Sequence, residues 1–157
     1  MLVGLGYDIH QLKERRDLIL GGIRIPYTKG LFGHSDGDVL VHSVCDAILG
    51  AMGEEDIGKH FPDSEPKYRN ISSLILLEEV IEMMRKRALT VNNLDITVIA
   101  QEPKITPYKK AIKGKIGSTL SLPEERISIK ATSPEMLGSL GKGKGIACIS
   151  IVSLREK

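Results

Sequence analysis

A chain of 157 residues is long enough to bury a substantial core as one domain, residues 1–157, without disulfides. With 41% hydrophobic and 27% charged residues it has the composition of an ordinary globular protein, while a net charge of +2, four Tyr, two Phe and no Trp give no support to nucleic-acid binding. Cys45 and Cys148 lie in separate apolar segments, which excludes a Cys-rich metal site and fits buried, reduced thiols in the cytoplasm; no apolar run approaches the roughly 18 to 20 residues that span a membrane.

Leu2 to Leu12 alternates as a strand, with Val3, Leu5, Tyr7 and Ile9 on one face and Gly4, Gly6, Asp8 and His10 on the other. A core-facing strand seldom collects two glycines, an Asp and a His, so the second face is expected to look into a cleft. Leu18 to Leu20 and Ile23 to Ile25, joined by Gly21-Gly22, form a hairpin with the two-residue glycine turn that strand twist prefers. The run Gly33-His34-Ser35-Asp36-Gly37-Asp38 then leads into a helix over about Asp38 to Met52, with Ser35 or Asp36 as its N-cap. Asp38, His42 and Asp46 fall along one stripe of that helix and Leu40, Val44, Ile48 and Ala51 nearer the opposite side. The positive end of the helix dipole favours an anion, and His34 stands beside it as a donor.

Gly53 to Asp63 is a turn-rich loop. Ser72 to Ala88 carries an apolar stripe of Leu74, Leu77, Ile81 and Met84, supported by a Glu82 and Lys86 pair, and is predicted helical. Leu94 to Gln101 alternates as a strand; Pro107 to Leu120 follows as a helix with Tyr108, Ile112, Ile116 and Leu120 inward and a solvated lysine face. Arg126 to Ala131 is a strand delivering Thr132-Ser133-Pro134-Glu135 at its end, where ligand-binding loops tend to sit, and Ile146 to Leu154 is the last strand. The mixture of strands, hairpin links and two or three helices predicts an α+β or mixed α/β domain, with helices packed on one face of a sheet.

Gly138-Ser139-Leu140-Gly141-Lys142-Gly143-Lys144 approaches the P-loop pattern, but Gly145 stands where that loop needs a magnesium-binding hydroxyl, and a strand follows instead of a helix. It is read as a glycine-rich turn, with Lys142 a candidate for facing a phosphate. Asp8, His10 and His42 are the more informative set, with two groups from a strand and one from a helix. They fit either a zinc site with an open position or a hydrogen-bonded cluster of His and Asp. Asp46, one turn beyond His42, is the candidate to orient its ring.

Asp8-Ile9-His10, the Gly30 to Asp38 run ending HSDGD, His42, DIGKHFPD at Asp56 to Asp63, IAQEPK at Ile99 to Lys104, KATSPE at Lys130 to Glu135 and GKGIA at Gly143 to Ala147 occur in one order from end to end. In this the chain resembles the 2-C-methyl-D-erythritol 2,4-cyclodiphosphate synthase family of the non-mevalonate isoprenoid pathway. The resemblance implies a homotrimer with active sites at subunit interfaces and a Zn2+ on Asp8, His10 and His42. It assigns His34 and Ser35 to the terminal phosphate region, and Asp56, Ile57 and Gly58 with Phe61, Pro62 and Asp63 to the methylerythritol phosphate. Ala100, Gln101, Glu102, Pro103, Lys104, Ile105 and Thr106, with Ala131, Thr132 and Ser133, match a cytidine pocket supplied by the neighbouring subunit. Glu135 matches the ligand of a second divalent metal, Mg2+ or Mn2+, and His34 and Ser133 match catalytic positions.

The family reaction is a phosphorus-oxygen lyase step: the 2-phosphate of 4-diphosphocytidyl-2-C-methyl-D-erythritol 2-phosphate attacks its own β-phosphorus and expels CMP. Attack of one anion on another needs charge neutralisation and positioning, and no side-chain nucleophile. That agrees with the lack of a Ser-His-Asp or Cys-His signature. Ser133 stands where the family often has a second Thr, keeping the hydroxyl, and Gly141 to Lys144 replaces a run that faces the trimer axis. A zinc-dependent phosphohydrolase and a non-enzymatic nucleotide- or metal-binding module are the competing readings.

Overall fold

The computed structural model describes residues 1–157. Strand β1 (Leu2–Glu14) is followed by the hairpin β2 (Leu18–Leu20) and β3 (Ile23–Ile25), β4 (Lys29–Leu31), helix α1 (Val39–Ala51), the short α2 (Ile57–His60) and α3 (Ser73–Lys86). Then come β5 (Leu89–Ile99), α4 (Lys109–Leu120), β6 (Ile127–Thr132), the single turn α5 (Gly138–Gly141) and β7 (Gly145–Glu156). Five strands form one sheet in the order β4-β1-β7-β5-β6, antiparallel except for the β5 and β6 pair. The domain is mixed α+β.

Leu94, Ile96, Val98 and Ala100 are buried, as their alternation predicts. Strand β5 begins earlier than expected, at Leu89, because it continues past an irregularity between Val91 and Asn93 to pair with the end of β7. Ile112, Ile116 and Leu120 of α4 face the core as expected. The ion pair on α3 joins Glu82 to Arg85, one residue short of the expected partner Lys86. Leu76, Leu77, Val80, Ile81 and Met84 form the buried stripe of α3, with Leu74 only partly covered.

Helix α1 is more deeply buried than its stripes suggest, and one expectation about faces, on β1, is overturned. Helix α1 is buried nearly all round, with Val39, Val41, Cys45 and Leu49 as inaccessible as Leu40, Val44 and Ile48, because it lies between the sheet and α3. On β1 the glycine face is the core face. A Cβ on Gly4 would stand 1.9 Å from the Ala47 carbonyl oxygen, and one on Gly6 1.9 Å from that of Ser43, so the strand lies against the helix backbone where no side chain fits. Only Asp8 and His10, further along, open into a cleft. The apolar face is the exposed one: Val3, Leu5, Tyr7, Ile9 and Ile151 are 44 to 63% exposed, and Leu5 sits opposite Ile151 across the β1 and β7 ladder.

Cys45 and Cys148 are free and buried, and burial pushes the Cys148 thiol up to about 12. No helix is long and apolar enough to cross a membrane.

Candidate functional site

The start of α1 is fixed by a carboxylate, though not the expected one. Asp38 is the N-cap: its Oδ1 accepts from Val41 N at 3.1 Å and Gly21 N at 2.9 Å, and its Oδ2 from Gly22 N at 2.7 Å. Gly21 and Gly22 take φ of 58° and 72°, the left-handed values that a two-residue hairpin turn needs, so the hairpin tip can aim two N–H groups at the helix start. Burial drives the Asp38 carboxyl up to about 6, against the pull of those donors. Of the donors at this helix end, Val41 N is therefore taken up by Asp38.

One turn on, His42 meets the end of the glycine face. His10 Nε2 lies 2.8 Å from Asp8 Oδ2, and His42 Nδ1 lies 3.1 Å from the same oxygen and 3.2 Å from His10 Nε2. The three side chains are largely buried, at 27, 15 and 12% exposure for Asp8, His10 and His42. His10 Nδ1 donates to the Phe32 carbonyl at 2.6 Å, and since a carbonyl only accepts, Nε2 of the neutral ring is left as a lone pair toward the cluster.

Burial acts to raise the Asp8 carboxyl, but the His10 and His42 rings against it outweigh burial and hold it well below the usual carboxylate range. Burial likewise acts to lower His10, and the hydrogen bond and charge of Asp8 raise it instead. Two ring nitrogens and a carboxylate oxygen within 4.8 Å of one another can hold a metal ion. A tetrahedral zinc with bonds of about 2.0 to 2.1 Å has ligand-to-ligand edges of about 3.3 to 3.4 Å, slightly longer than those found, so a small expansion admits the ion.

The cluster forms one wall of a cleft of about 650 Å³. Of the residues expected to bind substrate, His34, Ser35, Ile57, Gly58, Phe61 and Asp63 line it together with Asp8 and His10. His34 Nε2 is buried without a hydrogen-bond partner. Asp56 does not line the cleft; it caps α2, accepting from Lys59 N at 3.0 Å, so the expected loop contains a helical turn. Pro62 is likewise absent from the lining, beside Phe61, whose ring packs edge-on against Tyr68. Asp46 lines the cleft but does not hold His42. Its Oδ1 accepts from Ile57 N at 2.8 Å, tying α2 to α1, and His42 Nε2 instead meets Ser73 Oγ at 2.9 Å and Ser35 Oγ at 3.1 Å.

Arg16, Phe32, Tyr68, Arg69 and Asn70 also line the cleft and were missed by the sequence reading. Nothing in their spacing marks them. Ser73 was legible only as part of a helix start.

The remaining expected residues gather elsewhere, beyond the ends of the parallel pair β5 and β6. Ala100 N donates to Thr132 O at 3.1 Å, Glu135 N to Ser133 Oγ at 2.9 Å, and Met136 N to Gln101 Oε1 at 3.0 Å, which joins the segment 100–106 to the segment 131–135. Glu135 and Met136 have φ of 52° and 63°, and these bonds hold them in the left-handed region. Neither segment lines the cleft of its own chain, and neither does Glu135 or the exposed Lys142. Lys142 follows the single turn α5 and precedes β7, so the glycine-rich run has no P-loop geometry.

The sequence matches the YgbB family over residues 1–155. The chain belongs to that family. It is 52% identical over 154 residues to the 2-C-methyl-D-erythritol 2,4-cyclodiphosphate synthase of Agathobacter rectalis, covering 98% of this chain and 87% of that one. Among solved structures it resembles the bifunctional IspDF of Campylobacter jejuni, with a TM-score of 0.95 and 44% identity. That match covers 99% of this chain, which spans 42% of the bifunctional protein. It also resembles a CDP complex of Plasmodium falciparum IspF, with a TM-score of 0.87, 39% identity and coverage of 99% of this chain and 96% of that one. This YgbB-family chain therefore carries its candidate metal ligands and its β5/β6 end segments on a scaffold shared with a nucleotide-bound relative.

Proposed function

We propose that this chain is a 2-C-methyl-D-erythritol 2,4-cyclodiphosphate synthase. It converts 4-diphosphocytidyl-2-C-methyl-D-erythritol 2-phosphate to the cyclic diphosphate in isoprenoid precursor biosynthesis. An oxygen of the 2-phosphate forms a bond to the β-phosphorus, the bond from that phosphorus to the oxygen of the α-phosphate breaks, and CMP leaves with that oxygen. The observation that carries the reading is the convergence of Asp8 Oδ2, His10 Nε2 and His42 Nδ1 on the wall of a cleft lined by His34, Ser35, Gly58 and Asp63.

The chemistry calls for neutralising and aligning two anions. Zinc held by Asp8, His10 and His42 would supply Lewis-acid withdrawal of charge from the diphosphate. His34 enters the same cleft and acts as a donor to the terminal phosphate, and Ser35 lines the cleft beside it. Ile57, Gly58, Phe61 and Asp63 hold the methylerythritol body, with Asp56 and Pro62 shaping that loop. Segments 100–106 and 131–133 enclose the cytidine, Ser133 offers its hydroxyl to the reacting diphosphate, and Glu135 would hold Mg2+ or Mn2+, for which a hard carboxylate is suited. Lys142 contributes positive charge at the edge of this half-site.

The working assembly is a homotrimer, with the cleft of one subunit facing the β5/β6 end of the next. Two features support this: the second half-site does not line the cleft of its own chain, and Val3, Leu5, Tyr7 and Ile9 leave an apolar sheet face uncovered. Incubation with the cytidyl substrate and Mg2+, followed by phosphorus NMR, tests the activity. Cyclic diphosphate with equimolar CMP is expected. Free phosphate would identify a hydrolase, and binding without turnover a non-enzymatic module.

A further inference from the structure

His42 offers two nitrogens, and only one tautomer serves a metal. A proton on Nδ1 would donate to Asp8 Oδ2, 3.1 Å away, and occupy the space of the ion. Asp8 alone favours that form, so some other group must hold the proton on Nε2.

The residues behind the ring do this. Asp36 Oδ1 accepts from Asp38 N at 3.1 Å and Oδ2 from Ser73 N at 3.0 Å, so its carboxylate faces backbone donors on both oxygens. A carboxylate so placed has only lone pairs to offer, and the single hydroxyl proton of Ser73 is donated to Oδ1. Toward His42 Nε2, at 2.9 Å, Ser73 then presents a lone pair. Ser35 Oγ lies 3.1 Å from both His42 Nε2 and Ser73 Oγ and accepts from Gly37 N at 3.3 Å, leaving its own proton for Ser73. Ser73 is fully buried and Ser35 nearly so, which keeps water from substituting for either hydroxyl.

We propose that Asp36, acting through the Ser73 hydroxyl, is a positioning residue that holds the His42 proton on Nε2, so that Nδ1 faces the cluster as a lone pair for a divalent cation. This rests on the metal reading of Asp8, His10 and His42. It gives the HSDGD run a second role: Asp38 starts α1, while Asp36 reaches the first residue of α3 and sets the chemistry of a ring on α1. Three elements must be assembled before His42 is a competent ligand.

The test uses Ser73→Ala, Asp36→Asn and, as a comparison, Ser35→Ala. Imidazole nitrogen NMR of the metal-free protein at mildly alkaline pH reports the tautomer, and competition with a chromophoric chelator reports zinc affinity. Wild type and Ser35→Ala should show Nε2–H. Ser73→Ala should shift toward Nδ1–H and bind zinc about 10- to 100-fold more weakly, the usual effect of losing an outer partner of a ligating His. Asp36→Asn should shift the same way, and Ser73→Ala decides alone if that variant does not fold. Ser73→Ala with wild-type nitrogen shifts and wild-type zinc affinity would overturn the proposal, as would a shift on Ser35→Ala alone. A wild-type chain that binds no zinc would defeat the metal reading, while the nitrogen shifts would still decide the tautomer.

Discussion

Replacing Gly6 by Ala should damage both the fold and the metal site, by amounts that follow from the close approach of β1 to α1. The added Cβ would lie 1.9 Å from the Ser43 carbonyl oxygen and 2.7 Å from Ala47 N, both backbone atoms of a buried helix. Real Cβ contacts essentially never fall below 3.0 Å, so strand and helix must part by about 1.1 Å. Overpacking of this kind costs about 1 to 3 kcal/mol, and an obstacle made of backbone in two central elements places it at the upper end. The less flexible unfolded chain returns about 0.4 to 1 kcal/mol. A net loss of about 2 to 2.5 kcal/mol corresponds to a fall in Tm of roughly 4 to 10 °C for a chain of this length.

The same separation carries His42 away from Asp8 and His10. Edges of 3.1 and 3.2 Å would open to about 4.2 Å, against about 3.4 Å for tetrahedral zinc. Zinc affinity should therefore fall by orders of magnitude although no ligand has been touched. Gly50→Ala is the control: its Cβ would meet only Leu5 O at 3.9 Å, so removing a glycine from a helix should stabilise by up to about 1 kcal/mol. Thermal unfolding with zinc titration measures both variants. Gly6→Ala with wild-type Tm and stoichiometric zinc would refute the reasoning.

His42→Ala should lose stoichiometric zinc and turnover together; metal analysis of the purified variant checks this. Zinc affinity should climb with pH, because His10 is raised above its ordinary 6.5 in the metal-free protein and zinc must displace that proton. The corresponding ion-pair stabilisation of the metal-free fold is complete below 6.5 and lost as pH rises through the raised folded value. Measured from about pH 6 to 9, zinc dissociation constants and metal-free denaturant midpoints should therefore both fall as pH rises. Glu135→Gln should retain zinc and lose dependence on Mg2+, with turnover falling at least tenfold; zinc loss with unchanged Mg2+ dependence would contradict its role. Co-expression of His42→Ala with Thr132→Trp should restore part of the activity in mixed oligomers. Fully inactive mixed oligomers, verified by mass, would place each site within one subunit.

The hairpin at Gly21-Gly22, the helices over Val39–Ala51, Ser73–Lys86 and Lys109–Leu120 and the direction of Asp8 and His10 were legible in the sequence, because each depends on turn chemistry or on a repeat of side chains a few residues apart. The pairing of Asp8 and His10 with His42 was legible as a chemical possibility. Which face of β1 is buried was not. Alternation gives two faces without saying which one meets a helix, and here the face without side chains is covered because backbone-to-backbone approach excludes every Cβ. The N-cap is Asp38 and not the expected Ser35 or Asp36, because the hairpin brings two N–H groups to it. Ser73 replaced Asp46 as the partner of His42 because the start of α3, 31 residues away in the chain, is packed behind the ring. Local periodicity fixes which way a side chain leaves its own element. What that side chain meets depends on distant segments packed against it, and only the tertiary structure decides this.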